Sequence, residues 1–323
     1  MQFESEFQPR RRTLLIALGV VGAAAAVPTT YALLSREPPT TPKLHLTEEL
    51  REYVDHFPRD GGYRTPTGSE RTAVADAVAA TLRGDRGNRS VAAQQQQQLQ
   101  HIDYRLTRHQ LAGSGREVAE IAEPTEHMTG TGRGWGRVYV DLSAPVRWSV
   151  QVPHPRSDLH TELIGADLFA RVPGGVLVLA GAPRDAAAGR TADMAHRSRT
   201  VFNAVCDALV GRRVPALQVH GFADASSPGH DVVLSTGPAG RTPTAVAAAD
   251  RIAAQGFEVC RAWSSDSGDC GGLEGRTNVQ AGAAADLGVD FLHVENSYRL
   301  RSDPAARTRL VTALAEVARA WSG

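Results

Sequence analysis

A three-layer α/β/α sandwich built on a mostly parallel mixed sheet is the fold that this sequence predicts, and three observations predict it. From residue 146 onward, short apolar runs of strand length alternate with longer helical patterns. One of those runs, Val176 to Gly181, is strongly apolar, as a strand covered by helices on both faces must be. The chain also has 323 residues with 42% hydrophobic side chains, enough for one large domain or two modest ones with a proper core.

The chain divides into four stretches. Residues 1–35 read as an export signal or membrane anchor, because Arg10-Arg11-Arg12-Thr13-Leu14-Leu15 precedes an Ala-rich apolar run to Val27. The arginine pair before Leu-Leu resembles a twin-arginine signal. The run to Val27 falls short of the roughly 20 residues a membrane span needs, whereas extension through Leu34 allows an uncleaved anchor. The expectation is an exported protein, secreted or anchored to the outer face of the cell membrane. Residues 36–43 form a Pro/Thr linker.

Residues 44–145 read as a small α+β accessory region. Leu44 to His56 and Ser69 to Arg83 have helical patterns, the second opened by a serine cap. Gln94 to Gln98 has no apolar face and reads as an exposed helix extension or flexible segment. The period then changes to two. Tyr104 to Thr107 and Glu117 to Ile121 form a hairpin-like pair around Ala112-Gly113-Ser114-Gly115. Gly130, Gly132, Gly134 and Gly136 precede the strand Arg137 to Leu142. A phosphate-cradling loop follows a strand and opens a helix, so these glycines read as a flexible turn, with Trp135 packed or at a rim.

Residues 146–323 form the α/β domain. The predicted strands are Trp148 to Val152, Val176 to Gly181, Ala216 to Phe222, Val232 to Ser235, Phe257 to Trp263 and Phe291 to Asn296. The predicted helices are Thr161 to Phe169, Ala195 to Val210 capped by Asp193, Thr244 to Gln255 begun at Thr242 or Thr244, and Pro304 to Trp321 capped by Asp303.

Equal numbers of basic and acidic side chains, 35 of each, give no electrostatic footprint for nucleic acid. Of the three cysteines, Cys260 and Cys270 flank a Ser/Asp/Gly loop and can close it as a disulfide in an exported protein, while Cys206 reads as a small buried apolar residue.

The chemistry is concentrated where strands end. His154 and Asp158 follow the strand that stops at Pro153, close enough for one turn to aim both at a divalent metal; the other reading makes Asp158 or Thr161 a helix cap. His220 ends another apolar strand, and Glu295 emerges from the strand carrying His293. Two imidazoles and one carboxylate, His154, Asp158 and His220, are the ligand set of many hydrolytic zinc sites, with Glu295 available as general base. Arg197 is a candidate for a substrate carboxylate, Asn278 for the mouth or for fixing its loop, and Arg299 and Arg301 for substrate or for orienting Glu295. There is no Gly-x-Ser-x-Gly elbow of a serine hydrolase.

Pro153-His154 through Glu162, Val219-His220-Gly221, and Glu295 through Leu300-Arg301 are similar, in order, to three motifs of zinc carboxypeptidase-like hydrolases. The poly-gamma-glutamate hydrolase and N-formylglutamate amidohydrolase branches are nearest in motif. The resemblance spans residues 146–323. It implies Zn2+ at His154, Asp158 and His220, and hydrolysis of an amide or peptide bond by metal-activated water with Glu295 as base. It also implies a peptide-like or acyl-amino-acid substrate. The family pattern has His-x-x-Glu where this chain has His154-Pro155-Arg156-Ser157-Asp158, so Glu162 and His160 stand as alternative middle ligands. The rival expectation is a catalytically inactive envelope protein of the same fold that binds a peptide or glycan.

Overall fold

Side-chain alternation along three neighbouring strands decides which residues enter the core and which face the site. In the computed structural model, which describes residues 41–58, 61–83, 89–124, 132–263 and 269–322, ten strands form one mixed sheet. In chain order the strands are β1 (Lys43–Leu44), β2 (Arg105–Leu111), β3 (Glu117–Ala122), β4 (Arg137–Asp141), β5 (Trp148–Val152), β6 (Gly175–Leu179), β7 (Ala216–Phe222), β8 (Val232–Ser235), β9 (Val259–Arg261) and β10 (Phe291–Ser297). The helices are α1 (Leu46–Asp55), α2 (Gly68–Arg83), α3 (Arg89–Gln100), α4 (Thr161–Arg171), α5 (Val201–Val210), α6 (Pro243–Ala253), α7 (Val279–Leu287), α8 (Tyr298–Ser302) and α9 (Pro304–Ser322).

The strand order is β1-β2-β3-β4-β6-β5-β7-β10-β8-β9, in which β6, β5, β7 and β10 run parallel. β4 and β8 flank this quartet antiparallel. Residues from α1, α4, α6 and α9 pack with Trp148, Val150, Val152, Leu217, Val219, Leu292 and Val294 on one face. Residues from α2 and α5 pack with Val176 and Val178 on the other, and α7 lies beside α5. The chain leaves β5 through α4 on the first face to reach β6, then returns through α5 on the second face to β7. The chain leaving β5 thus turns toward β6, whereas the chain leaving β7 turns the other way, past β10 to β8, which opens a crevice beyond the carboxyl ends of β5 and β7.

Several local expectations change. The helix predicted from Ala195 begins at Val201, because Thr200 takes an extended backbone and its hydroxyl accepts from Asn203 N at 2.9 Å. Asp193 is thus no helix cap. α7 was hidden by its Ala/Gly composition, although Asn278 caps its start and Gly288 ends it with a left-handed backbone. The glutamine run lies within α3.

Gly136 is no flexible turn residue either. It has a φ of +94°, and a Cβ there would stand 2.0 Å from the carbonyl oxygen of Leu179 on the neighbouring strand. Gly136→Ala is expected to lose about 1–3 kcal/mol in chemical denaturation. Gly189→Ala, also at positive φ but with nothing within 4 Å, controls for the backbone contribution. The candidate export segment, Gly130 and the middle of the Cys260–Cys270 loop lie outside the described residues. Among those described, no helix is long and apolar enough to cross a membrane.

Candidate functional site

Register builds the site. β7 and β10 pair so that Glu295 lies opposite His220 and His293 opposite Gln218. On the other side of β7, Gln151 of β5 lies opposite Gln218. Period-two alternation sends these five side chains toward the α5 and α7 face while Leu217, Val219, Leu292 and Val294 enter the opposite core. His154 follows the end of β5, and the turn closes as Asp158 N donates to His154 O at 2.7 Å. Asp158 and Glu295 thereby reach the same end of the sheet as His220.

His154 Nδ1 and His220 Nδ1 lie 3.5 and 3.6 Å from Asp158 Oδ2. Glu295 Oε1 is 3.9 Å from His220 Nδ1 and 4.0 Å from His293 Nε2. The ring of His220 lies between those of His154, which meets it edge-on, and His293, which is tilted against it, at centroid distances of 5.2 and 4.4 Å. Behind them, His154 Nε2 bonds Asp193 Oδ1 at 2.9 Å and His220 Nε2 bonds Gln218 Oε1 at 2.7 Å. Asp158 is gripped by the Arg184 guanidinium and accepts from Gly221 N at 3.2 Å. His154, Asp158, Asp193, His220, His293 and Glu295 are all buried. His154, His220, His293 and Glu295 floor a cleft of about 360 Å³ that Arg184, Arg276 and Asn278 also line.

Electrostatics separates the two carboxyls. Burial pushes Asp158 up, but the neighbouring imidazoles of His154 and His220 and the charge of Arg184 outweigh it and hold it well below the usual carboxylate range. Glu295 has no such partner; burial, then the charge of Asp158, pushes it up to about 8. Burial and the charge of His154 lower His220 to about 4 against the pull of Asp158. For Asp193, burial is outweighed by His154 and His196, so it stays an ionised acceptor.

Among the described residues, two donor clusters could hold a metal ion: His154, Asp158 and His220, and His220, His293 and Glu295. His154 Nδ1, His293 Nδ1 and Glu295 Oε2 are buried without a hydrogen-bond partner, and buried polar atoms rarely stay so. The first cluster fits a cation better. Both of its imidazoles have their far nitrogen bonded to a fixed oxygen, which orients a ligand histidine, whereas the second nitrogen of His293 has none.

The other sequence candidates are placed elsewhere. Glu162 is buried in the first turn of α4 and joins neither cluster; burial pushes it up to about 7. His160 occupies the N-cap position of α4 with a φ of 72° and also joins neither, and no side chain caps this helix, so Asp158 and Thr161 are not its caps. Arg197 is exposed, spends its guanidinium on the carbonyls of Gly189 and Arg190, and lines a neighbouring groove rather than this cleft. Arg299 is 66% exposed and pairs with Asp231 at 2.6 Å. Arg301 is buried, with its guanidinium on the carbonyls of Asn296, Leu159 and Phe222. It ties α8 to β7 and the turn before α4 instead of facing substrate. Asn278 lines the cleft, but its carboxamide is used in capping α7 and in donating to Gln218.

Sequence reasoning missed Asp193, read as a cap, and Gln218. The signal for Gln218 was an amide in the middle of the apolar strand Leu217-Gln218-Val219. His293 carried the same kind of signal, two residues from Glu295 on the same face. Cys260 and Cys270 form a disulfide that ties β9 to the segment leading to the cleft rim. Cys206 is buried and free.

No protein-family model and no curated protein sequence matches this chain. Solved structures do. N-formylglutamate amidohydrolase from Ralstonia eutropha JMP134 is similar at 13% identity and a TM-score of 0.41, over 57% of this chain and 97% of that one. A bacteriophage poly-gamma-glutamate hydrolase matches at 12% and 0.39, over 58% and 89%. A metallo-carboxypeptidase from Pseudomonas aeruginosa matches at 13% and 0.36, over 64% and 60%. These descriptions fall among the carboxypeptidase-like hydrolases that the three motifs resemble, and at such identities and TM-scores the likeness assigns no activity or substrate to this chain.

Proposed function

We propose that this chain is a zinc-dependent hydrolase of amide or peptide bonds, with His154, Asp158 and His220 as ligands and Glu295 as general base. The observation that carries this reading is the meeting of two imidazole Nδ1 atoms and an Asp158 oxygen beside the buried carboxyl of Glu295. Zinc at those donors would polarise a substrate carbonyl and make water acidic enough to ionise near neutral pH. Glu295, on the neighbouring strand, takes a proton from the attacking water and returns it to the leaving amine. Arg184 keeps Asp158 charged, and Asp193 and Gln218 hold the two rings.

The substrate class, peptide-like or acyl-amino-acid, rests on the motif resemblance. Export is part of the proposal: it is supported by the basic and apolar residues before Val27 and accords with the Cys260–Cys270 disulfide.

Elemental analysis of the purified protein tests the reading. One zinc per chain is expected in wild type and none in a folded His220→Ala variant. A wild type that takes up no zinc, or a variant that keeps it, overturns the ligand set.

A further inference from the structure

We infer that a buried ladder of amides beneath the cleft dictates which nitrogen of His220 carries its proton, so that Gln218, Gln280 and Asn278 act as positioning residues for the candidate site. Its consequence for metal binding rests on the zinc reading above; the proton's location does not.

The two ends of a carboxamide are distinguished by what they bond. Gln280 Nε2 lies 2.9 Å from the backbone carbonyl oxygen of Met194, which only accepts, so this end of Gln280 is the NH2 group. Its oxygen therefore accepts from Gln218 Nε2 at 3.1 Å. A second anchor is independent. Asn278 Oδ1 accepts the backbone N–H groups of Gln280 and Ala281, both at 3.0 Å, which leaves Asn278 Nδ2 to donate to Gln218 Oε1. Both anchors turn Gln218 the same way, with its NH2 toward Gln280 and Gln151 and its oxygen toward Asn278 and His220.

That oxygen can only accept. His220 Nε2, 2.7 Å away, must supply the hydrogen, and in the neutral ring the lone pair is then on Nδ1, facing Asp158 Oδ2 at 3.6 Å. Left alone, the Asp158 carboxylate would draw the proton to Nδ1, where it would block a cation. The ladder opposes that pull. Gln218, Gln280, Asn278, Asn203 and Gln151 are each no more than 4% exposed, and so many buried amides are tolerable only when bonded to one another. The series continues outward, from Gln280 Nε2 to Asn203 Oδ1 at 2.8 Å and from Asn203 Nδ2 to Asp207 Oδ2 at 2.7 Å.

Nitrogen NMR of 15N-histidine-labelled, metal-free protein reads the tautomer directly, and competition with a chromogenic chelator reads zinc affinity. Wild type is expected to show His220 protonated on Nε2. Gln218→Met, similar in volume but without an acceptor, is expected to mix the two tautomers and to bind zinc about 10–100-fold more weakly. Gln218→Glu restores an acceptor for His220 while setting a carboxylate oxygen against the oxygen of Gln280. It should therefore recover most of the affinity while melting below wild type.

A purely structural role would make affinity follow stability in both variants. Wild-type protein with the proton on Nδ1 overturns the inference without any substitution. So does a Gln218→Met protein that keeps both tautomer and affinity, or a Gln218→Glu protein that loses as much affinity as Gln218→Met. A wild type that binds no zinc but shows the Nε2 proton, mixed in Gln218→Met, overturns the zinc reading and leaves the ladder's role standing.

Discussion

Glu295→Gln is expected to lower turnover of an amide substrate about 10²–10⁴-fold while one zinc per chain is retained. Glutamine keeps the volume and one oxygen of the buried side chain but cannot take up a proton, so the loss isolates base function. The assay needs only a substrate that wild type cleaves, drawn from a panel of N-acyl amino acids and short peptides with added zinc. The loss should fall on kcat, because Glu295 belongs to neither the proposed ligand set nor the rim. Unchanged turnover in the variant removes Glu295 as the base, and a loss of zinc would move it into the ligand set.

The second large effect concerns stability without metal. In the folded chain Glu295 holds its proton up to about 8, through burial first and the Asp158 charge second, against an ordinary value of 4.5. Between those two values the folded state binds more protons than the unfolded one, so raising the pH destabilises the fold. At roughly 1.4 kcal/mol per pH unit, the stability that Glu295 contributes below pH 4.5 and loses as pH rises through 8 is on the order of 5 kcal/mol. Glu162, pushed up to about 7 by burial, slopes the same way in wild type and variant and cancels in the comparison. With chelator present, urea denaturation should show wild type losing ground against Glu295→Gln across this range. A pH-independent difference between the two proteins would show that Glu295 titrates as an ordinary exposed carboxyl.

Local chemistry made much of the fold legible. β5 and β7 have the expected bounds, and α6 and α9 start at their caps, Thr242 and Asp303, each followed by proline. α7 was not legible because its alanines and glycines give no clear apolar stripe. The start of α5 was misread for a different reason. Helix propensity runs smoothly through Ala195, and only the capture of Asp193 by His154 and His196 shows that this acid is committed elsewhere.

The site divides along the same line. His154, Asp158, His220 and Glu295 were each conspicuous as polar groups at strand ends. Arg197, Arg299 and Arg301 were equally conspicuous and do not face the cleft, since an arginine's reach lets it satisfy carbonyls or acids on several sides. Gln218 and Asp193 were legible only as residues, because their meaning lies in partners 2 and 39 positions away in the chain.

By itself the sequence determined which residues alternate along β5, β7 and β10, and so which side chains share a face, because that period is a property of the local backbone. Only the tertiary structure decided that Glu295 stands opposite His220, that Asp193 stands behind His154, and that Gln218 presents its oxygen. Register, crossover direction and amide orientation depend on packing between segments far apart in the chain, and no local pattern encodes them.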